Sequence, residues 1–403
     1  MTLDNFPTTR PSFTANFARS QQMPPQVTFS RASTGTYVGE NGLIQTTTNN
    51  TPRFTWENGR CQGLVIEQAK TNIALQSQNF TIGAKQGDTP WWYSDNGGYG
   101  APGITINSGT APDGTNTANL VEYDSISTST YQTLLQNFTP TNTTYQASIW
   151  VKAATTADVG KTIKLQIYKG GTTVDLTSHV LTNQWVRIKC DKTFAAGVTG
   201  TAGFQLEQVV GQGAMSCLAW GAQIEASSYL TSYIPTTGSE VTRARDVVQI
   251  NNLDFWSDEA TLTAEYEVFN NNPYAFQWGF DGGAGTGAIQ ANPGAVTGMP
   301  DAGMLYITGT GTATYLGGND NAWVTGEPLK AAYSWDCSAG EFSGFINHGT
   351  ATPITETGFP IVPPRNRFAF GAFGTDMRNS TVWSYMAYYP TRASHDVLEA
   401  LTQ

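Results

Sequence analysis

The chain has 403 residues, with 21 basic against 31 acidic side chains and a net charge of −10. No cluster of Lys and Arg interrupts that balance, which excludes a phosphate-neutralising nucleic-acid face. Only 13% of residues are charged, whereas 42 Gly, 19 Pro, 11 Trp, 17 Tyr and 19 Phe are present; this excludes coiled coil and charged disorder and points to a turn-rich, strand-rich fold.

Length alone calls for two or three domains. Residues 1–78 alternate little and are punctuated by Pro7, Pro11, Pro24, Pro25, Gly35, Gly39, Gly42 and Pro52, so an extended attachment segment is expected, lying on a partner surface or over the following domain. The opening MTLDNFPTTRPSF shows no Sec-type signal, and no apolar run approaches the roughly 18 residues of a membrane-spanning helix, so membrane insertion is not expected. Over residues 79–245 short strands are predicted at 118–123, 130–138, 144–153, 162–168, 184–191, 203–209 and 215–224. Period 2 puts Ile163, Leu165 and Ile167 on one face. Such strands joined by Gly, Asn and Thr turns indicate a jelly roll. Residues 246–403 repeat the pattern, with strands predicted at 261–269, 276–280, 304–308, 329–334, 341–346, 367–371 and 381–389. One helix closes the chain: Ser394 is its N-cap, and Val397, Leu398 and Leu401 face the core. The predicted fold class is all-β, an N-terminal segment followed by two tandem β-sandwich domains.

Few residues offer chemistry. His179, His348 and His395 are expected in a turn, a hairpin tip and a helix start, outside any nucleophile elbow. The glycines of 279–287 are not followed by a helix pattern and read as a loop. Glu265 and Glu267 read as solvent-facing positions of an alternating strand, and the pair Asp254 and Asp258 rests on spacing alone; no glycosidase geometry is implied. Cys61, Cys190, Cys217 and Cys337 have no metal-ligand spacing and read as buried thiols, with a Cys190–Cys217 bridge as the alternative. No catalytic residue, metal or cofactor is expected. The exposed-aromatic pattern carries more: Trp91, Trp92 and Tyr93, with Tyr99 in a Gly-rich loop, would offer flat faces among hydrogen-bonding groups, as sugar sites do, although the simpler reading is that Trp91 and Trp92 open the first strand of the jelly roll and pack inside it. Asn319, Asp320 and Asn321 would supply oxygen ligands for calcium, but they are also ordinary turn composition.

Several phrases have a more specific look. Phe29-Ser30-Arg31-Ala32-Ser33-Thr34-Gly35-Thr36-Tyr37, Pro52-Arg53-Phe54 and Gly63 to Asn72 follow one another. Later come Trp220-Gly221-Ala222-Gln223-Ile224-Glu225, Thr231 to Thr236 and Thr242-Arg243-Ala244-Arg245-Asp246. Together they resemble tailed-bacteriophage virion proteins in which an N-terminal region precedes a carbohydrate-binding-module-like jelly roll; the region after residue 245 resembles a concanavalin or laminin-G-like sandwich. The resemblance implies a virion location and a tail fibre or spike component that binds host surface polysaccharide, bound to other virion proteins through residues 1–78. The alternative it implies is a capsid decoration or head-fibre protein held to the shell by that segment. It also implies a homotrimer and no enzymatic activity.

Overall fold

The computed structural model describes residues 9–83, 92, 101–125, 132–169, 175–209, 211–269, 278–281, 288–292, 304–308, 313–315, 326–346, 354–356, 367–371 and 380–402. Apart from the short helices Phe17–Ser20 and His395–Thr402 and a turn of 3-10 helix at Thr156–Asp158, its regular elements are strands. The chain divides into two compact units, one of residues 1–42, 46–69 and 244–403, the other of 43–45 and 70–243. Both are β-sandwiches, and the strands predicted from period 2 are present within a few residues of their expected ends.

The division departs from the expected boundaries at 78 and 245. The described residues up to 78 do not form a separate segment: 9–42 and 46–69 belong to the first unit, whose sheets use them, and 43–45 and 70–78 belong to the second. In its eight-stranded sheet the central strand Thr381–Tyr389 pairs with Glu259–Val268, Arg60–Ile66 and Phe13–Ala15. In its seven-stranded sheet Val27–Ser30 pairs with Val247–Ile250. The physical cause is burial: Phe13, Phe17, Val27, Leu64 and Ile66 lie in one core with Tyr266, Trp278, Phe370 and Trp383. Each large apolar side chain so placed contributes about 1.5–3 kcal/mol. Gly63 is fixed by the same packing. It has φ +135°, and a Cβ there would lie 2.0 Å from the carbonyl oxygen of Trp383, so only a residue without a side chain lets these strands pair. The closing helix runs as expected, with Leu398 and Leu401 buried against Ala332 and Ala393.

The second unit packs a four-stranded sheet, in the order Thr133–Phe138, Ala202–Gln208, Thr162–Tyr168 and Asp175–Val180, onto a five-stranded one. The five-stranded order is Val186–Thr193, Thr144–Ala153, Met215–Ala226, Ala118–Tyr123 and Gly103–Gly109. Ile163, Leu165 and Ile167 all face its core and are fully buried, as their alternation predicts. His179 lies in a strand, not a turn. None of the four cysteines is in a disulfide; Cys190 and Cys217 are buried, whereas Cys61 and Cys337 are only partly so, and strand Thr144–Ala153 runs between the strands of Cys190 and Cys217, which rules out the alternative bridge.

Candidate functional site

The phage-like phrases converge on two buried polar clusters. In the first unit, Asp246 accepts from Arg31 Nη1 at 3.1 Å and from Arg53 Nη2 at 2.5 Å, while Arg53 Nη1 reaches Glu67 Oε2 at 2.7 Å. The Glu67 backbone N–H also donates to Asp246 at 2.8 Å, and the Asp246 N–H returns to the Glu67 carbonyl at 2.9 Å. Arg31 further donates to the carbonyls of Ser33 and Thr48, and Arg53 to that of Thr36. Burial opposes the charge on Arg53, but Asp246 and Glu67 outweigh it and raise its pKa above the ordinary value. A Cβ on Gly35 would lie 3.0 Å from the Arg31 guanidinium carbon and 3.1 Å from Arg53 Cδ, so the glycine makes room for the two cations. All four charged side chains are nearly closed to solvent. They organise the unit and present no reactive group to a ligand.

In the second unit the hub is Asn72. Its Nδ2 donates to the carbonyls of Ala222 and Ile234, and its Oδ1 accepts from the N–H groups of Ala74 and Ile224. Gln223 accepts from the Ile234 N–H, and Glu225 accepts from both the N–H and the hydroxyl of Thr231. Burial raises the Glu225 pKa against the pull of those hydrogen bonds. The Trp220–Glu225 and Thr231–Thr236 phrases are thus two sides of one internal latch.

The expected aromatic site is not reproduced at its one described member. Trp92 is fully buried, its ring 4.7 Å from that of Phe80 and 5.9 Å from that of Phe204, and its Nε1 donates to the Gln76 carbonyl. A tryptophan between two phenylalanines of a sandwich core presents no face to a sugar. Trp91, Tyr93 and Tyr99 lie outside the described residues, as do the calcium candidates Asn319, Asp320 and Asn321. No group of three or more His, Cys, Asp or Glu suited to a metal occurs among the described residues.

A polar surface that the sequence did not single out lies on the outer face of the four-stranded sheet. Strand register stacks three rows across it: Asn137, Gly203 and Tyr168; Leu135, Gln205 and Gln166; Thr133, Glu207 and Lys164. At strand and row spacings of about 4.8 and 6.7 Å these positions span roughly 10 by 13 Å, although Thr133, Leu135, Gly203 and Glu207 are themselves buried and the open part is the end at Asn137 and Tyr168. Gln166 Nε2 donates to Gln205 Oε1 at 2.6 Å and to Glu207 Oε2 at 3.0 Å, and Lys164 Nζ donates to Glu207 Oε1 at 3.3 Å. Burial raises the Glu207 pKa, with Lys164 and then Gln166 opposing it. Gln166 and Gln205 are only 4% and 6% exposed, whereas Tyr168 at the end of the patch is 38% exposed. Polar positions this withdrawn ordinarily have every atom bonded. Here Gln166 Oε1, Gln205 Nε2 and the Asn137 carboxamide have no partner among the described residues, yet none of them is sealed from solvent. The face therefore holds fixed donors and acceptors beside an accessible ring.

Glu265 and Glu267, expected to face solvent, are half-buried on the outer face of the eight-stranded sheet. Partial burial, then the neighbouring charges of Glu57 and Glu327, push the Glu267 pKa up to about 7 from 4.5. The folded state then binds the extra proton between those values, so its stability falls as pH rises through that window. Glu267→Gln is expected to raise the thermal midpoint by a few degrees at about pH 8 and to change it little at about pH 4, which calorimetry at the two pH values checks. In the same unit the His395 Nε2 lies 3.1 Å from the Ser343 hydroxyl, but Ser343 is fully buried beneath the closing helix.

No protein-family model matches the chain, and no curated protein sequence does. Among solved structures it is similar to domain 4 of AbnA, a GH43 extracellular arabinanase from Geobacillus stearothermophilus in complex with arabinotriose. That similarity has 15% identity and a TM-score of 0.33, covering 43% of this chain and 81% of that one. The N-terminal CBM22-1–CBM22-2 tandem domain from Paenibacillus barcinonensis Xyn10C is similar over 81% of this chain and 99% of its own, at 10% identity and a TM-score of 0.28. Tail fibre protein gp63.1 from an E. coli phage is similar over 89% of this chain and 46% of its own, at 10% identity and a TM-score of 0.21. At scores below 0.5 none of these fixes the topology or the ligand of this chain.

Proposed function

We propose that the chain is a non-enzymatic structural protein of a bacteriophage virion, a tail fibre or spike component, that binds host surface glycan through the outer face of the four-stranded sheet. The observation that carries the binding is the set of open amide atoms on Gln166, Gln205 and Asn137 beside the exposed ring of Tyr168. A sugar needs this combination, with hydrogen bonds to its hydroxyl groups and a flat apolar surface for its C–H face. The virion assignment rests on the phage-like phrases. Since Phe13–Ala15, Val27–Ser30 and Arg60–Ile66 belong to the first unit's own sheets, attachment to the particle would use the outer side of that unit and not a free arm.

Tyr168→Ala and Gln205→Ala are each expected to weaken binding to host polysaccharide by about three- to tenfold, the value of one lost contact, with the circular dichroism spectrum unchanged. A double variant that binds as well as the wild type would sink the site. Gold-labelled antibody on intact particles tests the location: label on the tail with competition for adsorption supports the reading. Label spread over the shell, in many copies, supports capsid decoration instead.

A further inference from the structure

We infer that this face is built for an uncharged sugar and discriminates against acidic ones; the inference rests on the glycan reading above. The charges on the face cancel, since Lys164 Nζ donates to Glu207 and Glu207 also accepts from Gln166. Lys169, just past the strand end and outside these nine positions, donates its ammonium to the Thr199 carbonyl. What remains open is neutral: an acceptor on Gln166, a donor on Gln205 and both kinds of group on Asn137. Carboxylate recognition calls for an uncompensated Arg or Lys, or for several converging N–H groups. An acidic sugar entering between Gln166 and Gln205 would bring its charge toward the Glu207 carboxylate and lose water on a largely buried surface, while Lys164 stays engaged with Glu207. A neutral sugar ring meets donors and acceptors whose positions are already fixed by the ladder of Gln166, Gln205 and Glu207, which lowers the ordering cost of binding.

The test uses the full chain on an array of neutral oligosaccharides and of oligosaccharides bearing uronate or sialate. The expected result is binding to neutral members that is unchanged between about 50 and 500 mM NaCl and reduced at least threefold by Gln205→Ala. In Glu207→Gln, Lys164 loses its partner carboxylate. That variant is expected to bind polygalacturonate at least tenfold better than the wild type, in a salt-sensitive manner. The wild-type salt titration decides the matter independently if that variant fails to fold. Wild-type binding that is confined to acidic members, depends on Gln205 and collapses with salt overturns the inference while leaving the glycan site standing. An array without any Gln205-dependent signal removes both.

Discussion

Replacing Asp246 by alanine is expected to destabilise the first unit by about 3–5 kcal/mol, the cost of removing one partner from a buried ion cluster. The deletion takes away one carboxylate that serves both Arg31 and Arg53. Glu67 then has to serve Arg53 without help from Asp246, while Arg31 keeps its bonds to the carbonyls of Ser33 and Thr48. The change also strips the Glu67 N–H of its acceptor. Amide hydrogen exchange on peptides covering 60–67 and 247–250 reads the change directly, as opening that becomes about a hundredfold to several thousandfold more frequent. A shift of less than tenfold would mean that water or local relaxation replaces the carboxylate, and the cluster would then not organise the unit. The double variant Arg31→Leu with Asp246→Leu should cost less than the two single changes summed, because it no longer buries the Arg31 guanidinium beside an apolar side chain, whereas Arg53 loses its bond to Asp246 in the single and the double variant alike.

The cluster also shows what could be read from the chain and what could not. Arg31, Arg53, Glu67 and Asp246 stand in phrases distinctive enough to suggest a phage protein, in a chain of which only 13% of residues are charged. Their purpose was hidden, because Asp246 is 215 residues from Arg31 and 179 from Glu67 in sequence. In sequence, residues 1–78 therefore look like an arm. Short strands such as Phe13–Ala15 carry too few residues for an alternation to register, and they form because the partner Thr381–Tyr389 offers an unpaired edge and an apolar face. Longer strands needed no such help, and the inward set of Ile163, Leu165 and Ile167 follows from period 2 alone.

Site residues fared less well for a related reason. Trp92 beside a Gly-rich loop looks exposed in sequence, but burial is a property of the assembled sandwich, and the cavity between Phe80 and Phe204 takes it. Gln166, Gln205 and Glu207 occupy the outward positions of alternating strands, where any polar residue satisfies the pattern. Only the pairing of Thr162–Tyr168 with Ala202–Gln208 places them side by side. A faint signal was present in Gly203-Phe204-Gln205-Leu206-Glu207, since Gln and Glu on the outer face of a strand that also holds a glycine suggest a surface meant for approach.

Asn72→Ala is expected to destabilise the second unit by about 3–5 kcal/mol, because one fully buried side chain satisfies two carbonyls and two N–H groups, each worth roughly 1–3 kcal/mol when left unpaired and partly recovered by water. Packing cannot supply a rival account if Asn72→Asp is measured alongside. Aspartate has almost the same volume and keeps the two acceptor bonds, but above about pH 5 it would direct a carboxylate oxygen, with no proton to donate, at the carbonyls of Ala222 and Ile234. The aspartate variant should then be no more stable than alanine near neutral pH, and should regain part of the loss in acid, where the protonated carboxyl again donates to one carbonyl. Exchange of the strand Met215–Ala226 is the readout, since Ile224 and Ala222 lie within it. If aspartate restored most of the stability at neutral pH, volume and not hydrogen-bond direction would hold the latch. The Trp220–Glu225 and Thr231–Thr236 phrases would then have to be joined by Gln223, Glu225, the Ser77 bonds to Ala222 and Thr236, and the Trp220–Tyr233 ring contact.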